Sequence, residues 1–253
     1  LTVLGFGTGN YKDSRMEALA DHGNGNYAYV DGQDEAEKVL VREMGGTLHA
    51  IAKDVKVQVE FNPAQVDSYR LIGYENRVMA AEDFNDDRRD AGELGAGHTV
   101  TALYEVVPAS GGGRPRVDPL RYQDRRPRGD AGSDELMTVK LRYKDPDGDE
   151  SRLMEHAVRD GGSSLEEASD DFRFAASVAQ WGMLLRNSEH AGESSYASVL
   201  RLARGSLGRD EHGDRAAFVR LVQSSRRLAS REERDVVDEP IIPGEDDPHR
   251  HGR

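Results

Sequence analysis

The chain has 253 residues and a formal net charge of -13, from 34 Lys and Arg against 47 Asp and Glu. This acidic balance argues against binding to nucleic acid, because the phosphate backbone attracts a basic face. The sequence contains no cysteine, which excludes disulfides, thiolate catalysis and cysteine-ligated zinc. No run approaches the ~18 consecutive apolar residues of a membrane-spanning helix.

The first 53 residues alternate between strand and helix patterns. Apolar runs over residues 1–6 and Tyr27–Val30 predict two strands. Between them, Met16 and Leu19 lie on one side of a short helical pattern, and a single apolar stripe then predicts one long helix over residues 33–52. This order predicts an α/β fold with parallel strands and helices that cover the sheet.

From residue 54 the pattern changes to strands of period two. Val55, Val57 and Val59 alternate with polar residues, which is typical of a half-buried strand. Further strands are predicted over residues 69–74, 98–107, 136–143 and 152–159, with a hairpin turn at residues 145–149. Together they predict an antiparallel, sandwich-like region over residues 54–160. Its Gly-, Pro- and Arg-rich residues 109–134 predict a flexible loop.

Residues 163–228 have the spacing of a helical subdomain with three helices. Ser164 and Glu167 fit a capping box, which predicts that the first helix starts there. This helix is apolar on two opposite sides, with Phe172 on one and Trp181 on the other, so it is predicted to lie between the sheet and other helices. Residues 229–253 are charged and contain prolines, which predicts a disordered tail.

The segment Gly5-Phe6-Gly7-Thr8-Gly9 follows a predicted strand and invites comparison with dinucleotide-binding loops. Their fingerprint, G-x-G-x-x-G, requires a third glycine where this chain has Asn10. A structural turn between strand and helix is therefore the favoured interpretation.

Two acidic segments could supply oxygen ligands to a cation. The segment that starts at Asp145 resembles the beginning of an EF-hand loop, but the twelfth position, which needs a glutamate, is His156. An acidic hairpin turn is the favoured interpretation. Residues 82–90 are also rich in acidic side chains, but they include Arg88 and Arg89, which favours a solvated loop over a metal site.

The sequence shows no motif of a known catalytic site. It lacks H-E-x-x-H, G-x-S-x-G and S-x-x-K. Its eight histidines are scattered, and a single one such as His98 at a strand start is most often structural. Serines 163, 164, 194 and 195 are explained as helix caps. The sequence therefore predicts no catalytic, cofactor-binding or metal-ligating residue in this chain.

Several segments resemble one bacterial protein family. Residues 1–7, 16–20 and 23–31 are similar to the end of a von Willebrand factor type A (VWA) domain, in which a strand, a glycine-rich turn, a short helix and a Gly-x-Tyr strand follow in this order. The segments that resemble the uncharacterised C-terminal region of bacterial VWA proteins are residues 52–63, 69–77, 95–105, 171–176 and 183–188. The resemblance implies that residues 1–53 form the C-terminal part of a doubly wound, Rossmann-like VWA sheet.

The same resemblance carries expectations about ligands. In this family, a metal-ion-dependent adhesion site (MIDAS) binds magnesium through an Asp-x-Ser-x-Ser motif, a threonine and a further aspartate. All of these ligands precede the strand with which this chain begins, and the sequence contains no Asp-x-Ser-x-Ser. We therefore expect no cofactor in this chain and a magnesium ion in full-length relatives.

The resemblance also implies a function and a location. The chain begins at Leu1, within a predicted strand, and is expected to be the C-terminal part of a longer protein. The leading expectation is a non-enzymatic module that binds a protein ligand, in the bacterial cell envelope, with a lipoprotein or membrane anchor further upstream. One alternative is a hydrolase or transferase with catalytic residues in the missing N-terminal part. Another is an intracellular VWA partner of an ATPase assembly machine.

Overall fold

The computed structural model describes residues 1–7, 12–23, 25–74, 77–89, 91–109 and 134–237, and the side chains among these up to residue 230. Over this part of the chain the fold is mixed α/β, with antiparallel sheets and six α-helices. The chain divides into two compact units, Leu1–Gly162 and Ser163–Arg253. Nearly all of the predicted flexible loop, and the tail after Val237, lie outside the described residues. The predicted domain boundary at residue 53 stays a prediction.

The N-terminal part contains strand β1 (Val3–Phe6), helix α1 (Asp13–His22) and strand β2 (Tyr27–Val30). β1 and β2 are parallel, as the sequence predicted. The backbone nitrogen of Leu1 donates a hydrogen bond to the Gly23 carbonyl at 2.6 Å. Gly25 packs directly against the backbone of Leu1, and this position requires glycine because a Cβ there would lie only 1.9 Å from the carbonyl oxygen of Leu1.

The single long helix predicted over residues 33–52 is wrong. The structure instead has a short helix α2 (Gln33–Glu37), a π-helical turn (Lys38–Arg42) and a short helix α3 (Met44–Leu48), after which a strand begins at Ala50. Gly45 and Gly46 interrupt the pattern, since glycine weakens a helix. Gly46 also packs against the His98 ring, where a Cβ would lie 2.5 Å from Nε2. This contact between distant residues overrides the local periodicity.

The described residues of the first unit also form six antiparallel strands: β3 (Ala50–Phe61), β4 (Val66–Ile72), β5 (Gly92–Gly95), β6 (Leu103–Pro108), β7 (Glu135–Lys144) and β8 (Ser151–Arg159). Four of them form one sheet in the order β5-β3-β7-β8, and β4 pairs with β6 in a second sheet. The predicted hairpin between β7 and β8 is confirmed by their antiparallel register. The strand predicted from residue 98 begins only at Leu103, and the short β5 was not predicted.

The two antiparallel sheets meet at three aromatic rings. Phe61 of β3 is buried, and its ring centroid lies 4.3 Å from that of Tyr69 on β4 and 5.3 Å from that of Tyr104 on β6. Burial raises the pKa of the Tyr104 hydroxyl, because the charged form loses water. These contacts cover one end of the larger sheet.

The second unit contains helices α4 (Asp170–Leu185), α5 (Tyr196–Arg204) and α6 (Asp214–Val237). Its core consists of buried Val199, Leu200, Ala203, Val219 and Val222, with Trp181 packed against it. On the other side of α4, Phe172 is 49% exposed and Met183 is buried, and the predicted position between the sheet and other helices stays a prediction. α6 continues into the segment that was predicted to be a disordered tail.

The predicted start of the first helix at Ser164 is also wrong. The Ser164 N–H does donate to the Glu167 carboxylate at 2.9 Å, but the residues behind it form only a short 3₁₀ turn, Leu165–Glu167. The long helix begins at Asp170, where the Ser169 hydroxyl accepts a hydrogen bond from the Phe172 N–H at 3.2 Å. Acidic residues in the first turn of α4 favour this second start, since they complement the helix dipole.

Candidate functional site

The most elaborate polar arrangement is built around residues 81–89, which we term the acidic loop. It contains the 3₁₀ turn Ala81–Asn85, and Phe84 within that turn is buried. Lys56 of β3 reaches into the loop: it is only 4% exposed, and its Nζ donates to the backbone carbonyls of Asp83 at 3.1 Å and Asp86 at 2.6 Å. The interpretation as a merely solvated loop is therefore wrong, because the loop is docked on the sheet.

A second set of contacts ties the loop to β7 and β8. The Asp87 carboxylate accepts hydrogen bonds from Arg142 at 2.9 and 3.1 Å and from the Ser151 hydroxyl at 2.6 Å. Arg142 is directly opposite Lys56 in the β3–β7 register, so both side chains belong to the same face of the sheet. The hydrogen bonds from Ser151 and Arg142 hold the pKa of Asp87 below its usual range.

Lys144 joins the acidic loop to Asp54, a residue of β3 with a strained backbone conformation. Its Nζ donates to the Asp54 carboxylate at 2.6 Å and to the Asp87 carbonyl at 3.2 Å. Asp54 has φ of 52°, in the left-handed region, and lies where the β3–β7 register shifts between Lys53 and Lys56. The hydrogen bond from Lys144 to Asp54 raises the pKa of Lys144.

The two arginines of the loop pair with two of its other carboxylates, those of Asp86 and Asp83. Arg88 donates to Asp86 through its backbone N–H at 3.0 Å and through its guanidinium at 2.9 Å, which holds the pKa of Asp86 far below its usual range. Arg89 lies 3.1 Å from Asp83. Within the described ranges, no three acidic or histidine side chains are placed to hold a metal ion together. The ammonium of Lys56 instead lies between the backbone carbonyls of Asp83 and Asp86.

The other segments that were considered as possible sites form turns and a helix cap. Asp145 begins a tight turn, in which its carbonyl accepts from Gly148 at 3.0 Å and its carboxylate pairs with Arg152 at 2.5 Å. Gly7 follows β1 with φ of 85°, while residues 8–11 lie outside the described part. The Ser195 hydroxyl accepts from the Ser198 N–H at 3.1 Å, which confirms its predicted role as the cap of α5.

A second polar feature, missed in the sequence, lies at the start of α6. A cavity of about 710 Å³ is lined there mainly by charged side chains. Arg215 in its wall donates to Asp171 and to the Ser206 carbonyl and lies 4.9 Å from the centre of the Phe174 ring. Asp210 caps α6, with both oxygens accepting backbone N–H bonds at 2.9 Å. These groups hold the helices of the second unit in place.

Comparison with known proteins places the chain in a family. The family model described as "Uncharacterized protein YfbK, C-terminal" matches residues 46–228. The chain is also 42% identical over 224 residues to the "Uncharacterized protein YfbK" of Escherichia coli (strain K12). The chain therefore belongs to the YfbK family and contains its C-terminal domain. No solved structure matches it.

The match covers very different shares of the two proteins. It covers 88% of this chain but only 38% of the length of the Escherichia coli relative. The predicted resemblance to an uncharacterised C-terminal region of a bacterial family is thus confirmed, while the VWA assignment of residues 1–53 stays a prediction. Among the helices that the structure describes, none is both long and apolar enough to cross a membrane.

Proposed function

We propose that this chain is a non-enzymatic protein-binding module of a bacterial VWA protein of the cell envelope. One observation carries the proposal: in the described part of the chain, the larger antiparallel sheet has an apolar face that is covered at one end only. Val57, Leu141 and Met154 lie side by side on β3, β7 and β8. Val57 is 62% exposed and Met154 56% exposed. Leu141 between them is partly exposed, and exposed apolar surface is typical of a protein-interaction site.

The two faces of this sheet differ in character. The opposite face carries Lys56, Arg142 and Lys144, which are engaged by the acidic loop. On the apolar face, the aromatic contacts of Phe61 cover one end only. The charged residues therefore support the fold, and the open apolar end is the surface that remains for a partner.

The N-terminal strands support the VWA part of the proposal. Among the described residues, β1 and β2 pair only with each other. Exposed apolar side chains surround them, including Leu1, Phe6, Val41 and Leu48. Because an isolated two-stranded sheet is marginally stable, this arrangement fits the end of a larger parallel sheet. In full-length relatives that sheet would carry the magnesium-dependent adhesion site.

A matched pair of substitutions tests the binding surface. Leu153 and Met154 are adjacent on β8, both are about half exposed, and they lie on opposite faces of the sheet. The tagged chain would be cross-linked to proteins of a bacterial envelope extract and its partners identified by mass spectrometry. We expect the Met154→Glu variant to lose the captured protein. The Leu153→Glu variant should retain it, because residue 153 lies on the other face, opposite Arg142.

Other outcomes would contradict the proposal. Equal capture by both variants would exclude the apolar face as the binding surface. Hydrolysis or group transfer by the purified chain, without a protein partner, would favour the enzyme alternative. Specific capture of an ATPase from the soluble fraction would favour the intracellular assembly role.

A further inference from the structure

We propose that two copies of this chain pair through the outer edge of β8, in an antiparallel register centred on His156. The pairing would join the two four-stranded sheets into one continuous sheet. This inference concerns self-association and does not depend on the proposed binding of another protein.

β8 is a long and uninterrupted sheet edge. Among the described residues it is the outermost strand of its sheet, pairs with β7 on one side, and is nine residues long. Arg152 to Ala157 are six consecutive exposed residues, and the strand contains neither proline nor glycine. The opposite edge, β5, is only four residues long and includes two glycines. Natural proteins usually shorten or interrupt an edge strand that must stay unpaired, whereas β8 is neither short nor interrupted.

Symmetry limits the possible registers of the pair. If the apolar faces of both sheets are to lie on the same side, the twofold axis must lie midway between the two copies of one residue, which is then directly opposite its own copy. Centring on Glu155 would place two carboxylates opposite each other, and like charges at this position are destabilising. Centring on Met154 would place Arg152 opposite His156, and centring on Ala157 would place Met154 opposite Asp160. Each of these registers creates a mismatch.

Centring on His156 gives complementary pairs on both sides of the axis. Met154 lies opposite Val158 of the second copy, and Arg152 lies opposite Asp160 of the second copy. Each pair occurs twice by symmetry. Arg152 is 62% exposed and already contacts Asp145 in its own turn, but a guanidinium has several N–H donors and can bind a second carboxylate. This register matches both an apolar pair and a charged pair.

The cysteine-free sequence allows a direct test of the register. In the full chain, His156→Cys places one thiol opposite its own copy, where Cα atoms of directly opposed residues are about 4.5–5.5 Å apart and a disulfide can form. Leu153→Cys is the control, because it lies opposite Arg159 of the second copy. We expect a disulfide-linked dimer on oxidation of His156→Cys and little from Leu153→Cys. Equal cross-linking of both variants, or none in either, would overturn the proposal.

A charge exchange tests the same pairing without cysteines. Sedimentation of the unmodified chain should show a concentration-dependent dimer. Asp160→Arg should weaken dimerisation by about tenfold, because two exposed ion pairs become repulsive. Adding Arg152→Asp should restore most of the affinity. A chain that stays monomeric up to about millimolar concentration, the weak limit of specific association, would refute the dimer.

Discussion

The Nζ of Lys56 lies 2.6 Å from the backbone carbonyl oxygen of Asp86, at the end of a side chain that is almost fully buried. A buried ammonium is costly unless its donors are paired, and here two carbonyls of the acidic loop accept from it. The lysine thus acts as an internal cation that holds the loop on the sheet.

Replacing Lys56 should lower the free energy of unfolding of the first unit. Lys56→Met leaves two carbonyls without their donor, and we expect a loss of about 2–3 kcal/mol in the free energy of unfolding. Urea unfolding followed by circular dichroism measures this change. Lys140→Met is the matched control: its partner Glu60 is largely exposed, and the loss should stay below about 1 kcal/mol. Similar losses in both variants would contradict the role of Lys56.

The single tryptophan allows the unfolding of the second unit to be followed separately in this experiment. Trp181 packs in the core of the second unit, so its fluorescence reports that unit alone. Lys56→Met should leave the fluorescence transition unchanged. A parallel shift of both signals would show that the two units unfold together.

The acidic loop should also make the first unit sensitive to acid. The pKa of Asp87 is lowered in the folded protein from its ordinary value of 3.8, so the unfolded chain takes up the proton first as pH falls. The stabilisation is fully present above about pH 4 and is lost as pH falls further, through the lowered pKa of the folded state. Urea midpoints measured between pH 2 and 7 should fall more steeply below pH 4 in the unmodified chain than in Asp87→Asn. Identical profiles would exclude this contribution.

No high-affinity divalent site is expected in this chain. The carboxylates of Asp83, Asp86 and Asp87 are each paired with an arginine, so a metal ion would have to displace these contacts. Calorimetry with magnesium, manganese and calcium should show no saturable binding tighter than about millimolar, the weak end of the range for calcium sites. A stoichiometric micromolar site that disappears when these three residues, or Asp145 and Asp147, are mutated would overturn this expectation.

Two neighbouring residues of α6 test the core of the second unit. Val222 is fully buried, whereas Leu221 is about half exposed. Val222→Ala should cost about 2 kcal/mol through lost burial and an unfilled cavity. Leu221→Ala should change stability by less than about 0.5 kcal/mol. The tryptophan fluorescence transition in urea measures both, and equal losses would contradict the assigned core.

Residues 1–53 and residues 172–185 should differ in local stability. Residues 1–53 contain a two-stranded parallel sheet with exposed apolar side chains, while residues 172–185 lie in a helix packed against the core of the second unit. Hydrogen exchange monitored by mass spectrometry should therefore show faster exchange in the first segment. Uniformly slow exchange across both segments would show that the open sheet is stable by itself.

The sequence by itself determined the features that depend on local patterns. Alternating residues such as Val55, Val57 and Val59 predicted a strand, because side-chain direction in a strand has period two. The Asp145 turn and the Ser195 cap were recognised for the same reason: their hydrogen bonds join residues only three positions apart. The parallel pairing of β1 and β2 followed from the strand–helix–strand order.

Only the tertiary structure decided the features that join distant residues. Gly46 meets the ring of His98, and this contact helps to end a helix whose periodicity continues to residue 52. Lys56 looked like the polar member of an alternating strand, yet it is buried because residues 83 and 86 supply its acceptors. A charged side chain is buried where the fold provides partners for it, and those partners lie about thirty positions away in the sequence.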